Sequence, residues 1–199
     1  MSRRNPHAGP RQPNEAYYTP PEGVRPLLEG LPLHAMRNYE AWEPAAGAGH
    51  VAVHLARHFP VIATDVAPGR PQVHPVLPLD FLTSQGPSGR HRLAIVTNPP
   101  YGLQNRLALA FLAHGLKIAE ARRGLLALLL PFEFDAPKSR DSLAGGHPAF
   151  ACKWTLGRRL RWLNLRQSDN APMSHHAWFL WSFDSALLAR LRQSPVRTL

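Results

Sequence analysis

The chain has 199 residues, enough for one domain with a full core and short for two. Its 23 Lys and Arg outnumber 13 Asp and Glu, a formal charge of +10 that points to a polyanionic partner and is silent on fold. The single cysteine, Cys152, excludes an internal disulfide or a cysteine-rich zinc site and fits a reducing, cytoplasmic compartment, while the longest greasy run, GLLALLLPF, is far below the ~20 residues that span a bilayer.

Residues 1–15 are polar, rich in Pro and Arg and without apolar periodicity; they read as a disordered basic arm, with 16–199 a single domain. In YTPPEGVRPLLEGL, Thr19 and Glu22 form a Thr-x-x-Glu capping box and Pro20 suits the first helical position. A short helix is expected there, weakened by Gly23 and Pro26. NYEAW then reads as a short strand, HVAVHLARHF as a helix, VIATD as a strand, HPVLPLDF as a weak strand and RLAIVTN as a strong one. Helical spacing of Leu107, Phe111 and Leu112 marks a helix from about Gln104 to Arg122, and the continuous apolar run LLALLLPF is a strand of the kind buried on both faces. RRLRWL and AWFLWSF read as two further strands, with a polar loop and no helix between them, so they should pair antiparallel. The alternation predicts an α/β fold: a mainly parallel sheet that ends in an antiparallel pair.

Between the first strand and first helix, Gly47, Gly49 and Ala52 satisfy a G-x-G-x-x-G/A pattern, and Asp65 follows at the end of the next strand. Any cofactor containing a nucleoside needs this arrangement. Glycines let the backbone approach, and the carboxylate takes the ribose hydroxyls. Glu43, at the tip of the first strand, would repel a pyrophosphate and attract an ammonium or sulfonium, which favours S-adenosylmethionine over a nicotinamide dinucleotide. Asp80 and Phe81 at the third strand tip offer a carboxylate for an adenine amino group and a ring to stack on the base. No Lys-Ser/Thr follows the glycines, so a phosphate-cradling P-loop is excluded.

Asn98-Pro99-Pro100-Tyr101 ends the fourth strand, since proline cannot donate to a sheet ladder. The lone pair of an exocyclic amine or carboxamide is delocalised, so such a nitrogen attacks a methyl group poorly. The Asn98 side-chain oxygen and the Pro99 carbonyl would each accept one N–H, turning the nitrogen tetrahedral with its lone pair aimed at the methyl donor. Tyr101 would stack on the flat target.

Taken in order, YYTPPEGVRPLLE, EPAAGAGHVAVHLA, TDVAP, LPLDFLT and TNPPYG resemble the motifs of the amino-group DNA methyltransferases, in particular adenine-N6 enzymes of the γ arrangement. The resemblance covers roughly residues 17–134. It implies the Rossmann-like class I methyltransferase fold, a seven-stranded sheet with helices on both faces and an antiparallel last strand. It also implies methyl transfer from S-adenosylmethionine to the N6 amine of adenine in DNA. Carried over, Tyr18 and Thr19 would contact the cofactor, Thr19 at its methionine end, with Glu43, Gly47 and Gly49 around it. Asp65 would hold the ribose, Asp80 and Phe81 the adenine, and Asn98 to Tyr101 the target base, with Asn98 also touching the cofactor. The family usually carries a separate target-recognition domain, for which the residues after PFEF leave no room once the last two strands are placed. Trp162 and Trp178 are candidates for the late aromatic that packs against a flipped base, core packing being the preferred reading of each.

From Lys138 to Arg166 seven basic residues, Lys138, Arg140, Lys153, Arg158, Arg159, Arg161 and Arg166, face one acid, Asp141. Interleaved aromatics make this stretch the expected nucleic-acid contact. His50, His54 and His58 recur every fourth residue on what would be an exposed helix face, but no nearby carboxylate or cysteine completes a metal site; His175 and His176 read as loop residues. Three alternatives stay open: the same chemistry on RNA adenine or a protein glutamine, a non-catalytic nucleic-acid-binding module, and a nicotinamide oxidoreductase that would make no use of Asn98 to Tyr101.

Overall fold

The computed structural model describes residues 16–165 and 174–193; the basic arm assigned to residues 1–15 and Arg166 lie outside them. Strands β1 (Tyr39–Glu43), β2 (Val61–Asp65), β3 (Leu77–Pro78), β4 (Arg92–Thr97), β5 (Leu125–Pro131), β6 (Phe150–Thr155) and β7 (His176–Ser182) form one sheet in the order β3-β2-β1-β4-β5-β7-β6. The β3-β2, β2-β1, β1-β4 and β4-β5 pairs are parallel, and β7 runs antiparallel to both β5 and β6.

Alternation along the strands builds two cores. Ala94 and Val96 of β4, Leu125, Ala127 and Leu129 of β5, and Trp178 and Leu180 of β7 face one way. They meet helices α1 (Pro21–Gly30), α2 (Ala52–Leu55) and α4 (Ser185–Gln193). The intervening Leu93, Ile95, Leu126, Leu128, Phe179 and Trp181 face the other way, onto α3 (Arg106–Ala121). The middle of each of these strands is therefore a continuous apolar run, as strands covered on both faces must have. Trp178 is fully buried and its indole N–H donates to the Gly23 carbonyl at 2.7 Å, so it is a core residue. No helix among the described residues is long and apolar enough to cross a membrane.

Four details differ from the sequence reading. Pro20, not Thr19, occupies the N-cap of α1, Pro21 is its first residue, and no side chain caps it; Thr19 is buried and bonded elsewhere. RRLRWL is not a strand. The strand beside β7 is FACKWT, whose Cys152 and Trp154 are buried, and residues 158–163 follow it outside any strand. The helix expected over HVAVHLARHF is regular only across Ala52–Leu55. Finally, α4 has no counterpart among the expected elements, although Asp184 caps it by accepting from the Ala186 and Leu187 N–H groups at 3.0 and 3.3 Å.

Candidate functional site

The tips of β1, β2 and β4 and the turn after β3 open into one cleft of about 420 Å³, within the usual range for small-molecule sites. Its wall contains Tyr18, Thr19, Glu43, Gly47, Asp65, Asp80, Phe81, Asn98 and Pro100. Residues from Tyr18 to Pro100 thus converge, those of β1, β2 and β4 because parallel strands place their carboxyl ends on one side.

Glu43 is 2 % exposed and accepts the Ala52 N–H at 2.6 Å. Burial pushes its carboxyl well above the ordinary range, the Ala52 bond opposes this, and the charge of Asp65 adds to it. Asp65 accepts the Gly47 N–H at 2.7 Å and the Ala67 N–H at 2.8 Å, one on each oxygen, and burial raises its pKa too. Each oxygen keeps a lone pair for a further donor.

Gly47, with φ of +54°, turns the chain under Tyr18, whose ring also lies 5.1 Å from that of His50, whereas Gly49, with φ of +89°, packs against His74 and is not part of the cleft wall. A Cβ on Gly47 would sit 2.9 Å from the Tyr18 ring. Gly47→Ala is therefore expected to lower the melting temperature by a few degrees, from about 1–2 kcal/mol of left-handed strain, and to lift Tyr18 from the cleft; thermal melting with ligand titration checks both. His50 faces the cleft and His54 is 7 % exposed, so the exposed histidine face expected of α2 does not form. Asp80 lines the cleft while accepting the Leu82 N–H at 2.9 Å. Phe81 reaches the cleft only as part of its wall: it is 2 % exposed, with ring contacts to Trp42, Phe111 and His114.

Asn98 is held from the amide side. Its Nδ2 donates to the Tyr17 carbonyl and to Thr19 Oγ1, both at 3.2 Å; because a carbonyl only accepts, this fixes which way the amide points. Oδ1 accepts from the Tyr101 hydroxyl at 3.3 Å, but that hydroxyl has one proton and the Leu129 carbonyl also lies 3.2 Å away. Pro99 is buried and Pro100 lines the cleft. Tyr101 is half-buried, and its ring stacks on His176 at 6.1 Å. His176 is no loop residue. It opens β7, is 4 % exposed, and is held neutral by burial, which pulls its pKa to about 4. Trp162 lies edge-on to His176 at 5.2 Å and tilted against Tyr17 at 5.7 Å, so of the two tryptophans it is the one beside Asn98's partners. Sequence pattern singles out neither Tyr17 nor His176 for this place; it does single out Trp162.

The basic stretch divides. Lys138, Arg158, Arg159 and Arg161 are exposed, Arg159 with its Nε donating to His175 Nε2 at 3.1 Å. Arg140 instead donates to the Phe134 carbonyl at 2.7 Å and lies over the Phe134 ring, and Lys153 pairs with Asp135 at 2.8 Å above Phe132. Both have structural partners. Among the described residues no cluster of three or more His, Cys, Asp or Glu could hold a metal ion.

No family model matches the chain, and no curated protein does. Solved structures do. A Pyrococcus horikoshii protein described as a candidate RNA methyltransferase matches with a TM-score of 0.62 at 14% identity, over 85% of this chain and 87% of that one. The methyltransferase subunit of a Streptococcus thermophilus type I restriction-modification system gives 0.57 at 13% identity, over 83% of this chain but 44% of that one. A Listeria monocytogenes protein described as a candidate class I S-adenosylmethionine-dependent methyltransferase gives 0.52 at 14% identity, over 83% and 60%. With the strand order above, these likenesses show that the chain has the Rossmann-like class I methyltransferase fold.

Proposed function

We propose that the chain transfers a methyl group from S-adenosylmethionine to the N6 amine of adenine in DNA. The observation that carries this reading is the single cleft that joins Glu43, Gly47 and Asp65 to Asn98. The cleft fits the cofactor chemically: Glu43, on giving up its proton, would offer a cation its counter-charge, and Asp65 keeps a lone pair on each oxygen for a ribose hydroxyl. Glu43 would face the cationic methionine end with Thr19, Asp65 the ribose, and Asp80 with the Phe81 wall the adenine. The cofactor supplies, when bound, an electrophilic methyl on a sulfonium.

The remaining work falls to the chain. Asn98 Oδ1, its amide fixed from the other end, accepts one N–H of the target, and the Pro99 carbonyl accepts the other. The nitrogen is thereby directed at the donor without a strong base. Tyr101, braced by His176 and Leu129, and Trp162 offer flat faces at the same strand tips. An adenine within a duplex reaches such a pocket only by flipping out, at a cost of about a few kcal/mol. Lys138, Arg158, Arg159 and Arg161, with Arg166 beyond the described residues, would offset that by binding phosphates; Arg159, Arg140 and Lys153 would do so by exchanging their present partners.

The triple variant Arg158→Ala, Arg159→Ala, Arg161→Ala should weaken nucleic-acid binding and flatten the slope of log affinity against log salt, by about 0.9 for each phosphate it no longer neutralises, as read in a salt titration. RNA adenine is the second reading, favoured by the Pyrococcus horikoshii likeness, which spans most of both chains. Incubation with isotopically labelled donor and duplex DNA, single-stranded DNA or RNA, followed by mass spectrometry of the nucleosides, decides between them. Labelled N6-methyldeoxyadenosine is expected; label in none of the three removes the nucleic-acid reading.

A further inference from the structure

Residues 16–19 cross the cleft as an irregular strap, and the group that holds them is distant in sequence. The Tyr18 N–H donates to Asn164 Oδ1 at 2.9 Å, and Asn164 Nδ2 donates to the Ala16 carbonyl at 2.6 Å. Beside them the Leu163 N–H donates to the Tyr18 carbonyl at 3.0 Å. With its side chain, Asn164 makes the two bonds that a neighbouring strand would make with its backbone. It is exposed, so it fills no core space.

The other side of the strap is the site itself. The Tyr18 ring covers Gly47 and His50, while the Tyr17 carbonyl and Thr19 Oγ1 accept the Asn98 amide. The strap is therefore bonded to Asn164 through residues 16 and 18 and to Asn98 through residues 17 and 19. We infer that Asn164 is a positioning residue: it clamps the strap, and through the strap it fixes both the cover of the cofactor cleft and the orientation of Asn98. This rests on the reading of the cleft as a methyl-donor site. It also ties that cleft to the segment carrying Arg158, Arg159, Arg161 and Trp162, since Asn164 belongs to the same run of chain.

The test is Asn164→Ala in the full chain. Its melting temperature should hardly move, because an exposed side chain is removed. The Tyr18 amide should exchange faster with solvent, the side-chain amide resonances of Asn98 should shift, and affinity for S-adenosylmethionine should fall about five- to twenty-fold, the effect of two hydrogen bonds of modest net strength. If the alanine variant does not fold, Asn164→Gln, whose longer arm displaces the strap, is read on the same resonances. Unchanged Tyr18 exchange together with unchanged Asn98 resonances overturns the inference. Calorimetry on the unaltered chain keeps the two readings apart: no heat with S-adenosylmethionine removes the methyl-donor reading, while the resonances still decide whether Asn164 holds Asn98.

Discussion

Asn98→Ala is expected to lower kcat for methyl transfer by about 10²–10³-fold, the usual effect of removing one preorganised group aimed at the reacting atom. The structure adds a second consequence that the motif alone does not give. Asn98 Nδ2 also tethers the Tyr17 carbonyl and Thr19, so the variant should lose a few-fold in cofactor affinity as the strap loosens. Asn98→Asp separates the two roles. A carboxylate keeps an acceptor for the target amine but turns its other oxygen against the Tyr17 carbonyl, so cofactor binding should suffer more than in the alanine variant. Single-turnover rates and calorimetry on both variants check this; full activity in Asn98→Ala would remove the residue from the mechanism.

Glu43→Gln should make the ligand-free protein more stable and the liganded protein harder to form. Burial holds the Glu43 carboxyl well above its ordinary value of 4.5, so the folded chain keeps this proton at pH values where the unfolded chain has lost it. Stability from this group is complete below the unfolded pKa and is lost as pH rises toward the folded one. Glutamine removes that loss and can still accept the Ala52 N–H. The variant should therefore melt higher than wild type at pH 7–8, by about 2–4 °C for each kcal/mol relieved, with the gap closing toward pH 5. Cofactor affinity runs the opposite way. A cationic ligand needs the ionised acid, so wild-type binding should weaken as pH falls, and Glu43→Gln should cost about ten- to a hundred-fold at neutral pH, the scale of a hydrogen bond to a charged group. Melting curves across pH with parallel calorimetry read both signs; equal affinity in the two proteins would move the cation away from Glu43.

The parallel half of the molecule is legible in the sequence because its signals are local. VIATD and RLAIVT are apolar runs stopped by an acid at a turn and by two prolines, and their strands end where the residues say they should. In the antiparallel part local pattern fails. RRLRWL and FACKWT both alternate, and what separates them is that β7 offers its edge to the second and not the first. That choice is tertiary. Helix α4 is legible in principle, from Asp184 followed by the apolar spacing of Leu187 and Leu191. The site follows the same division. Glu43, Gly47, Asp65, Asp80 and Asn98 meet because each sits at a strand tip or in the turn beyond it, which sequence can place. Asn164 and Tyr18 are separated by 146 positions and joined by a side chain that substitutes for a strand, a pairing no periodicity announces. His176 reads as a loop residue because its polar neighbours outweigh its place at the start of a buried strand.

The most direct measurement is a crystal structure of the chain with S-adenosylmethionine bound. The ligand is expected in the cleft between Glu43 and Asp80, with its methyl group turned toward the side chain of Asn98. Occupancy elsewhere, or a methyl group directed away from Asn98, would contradict the proposed chemistry.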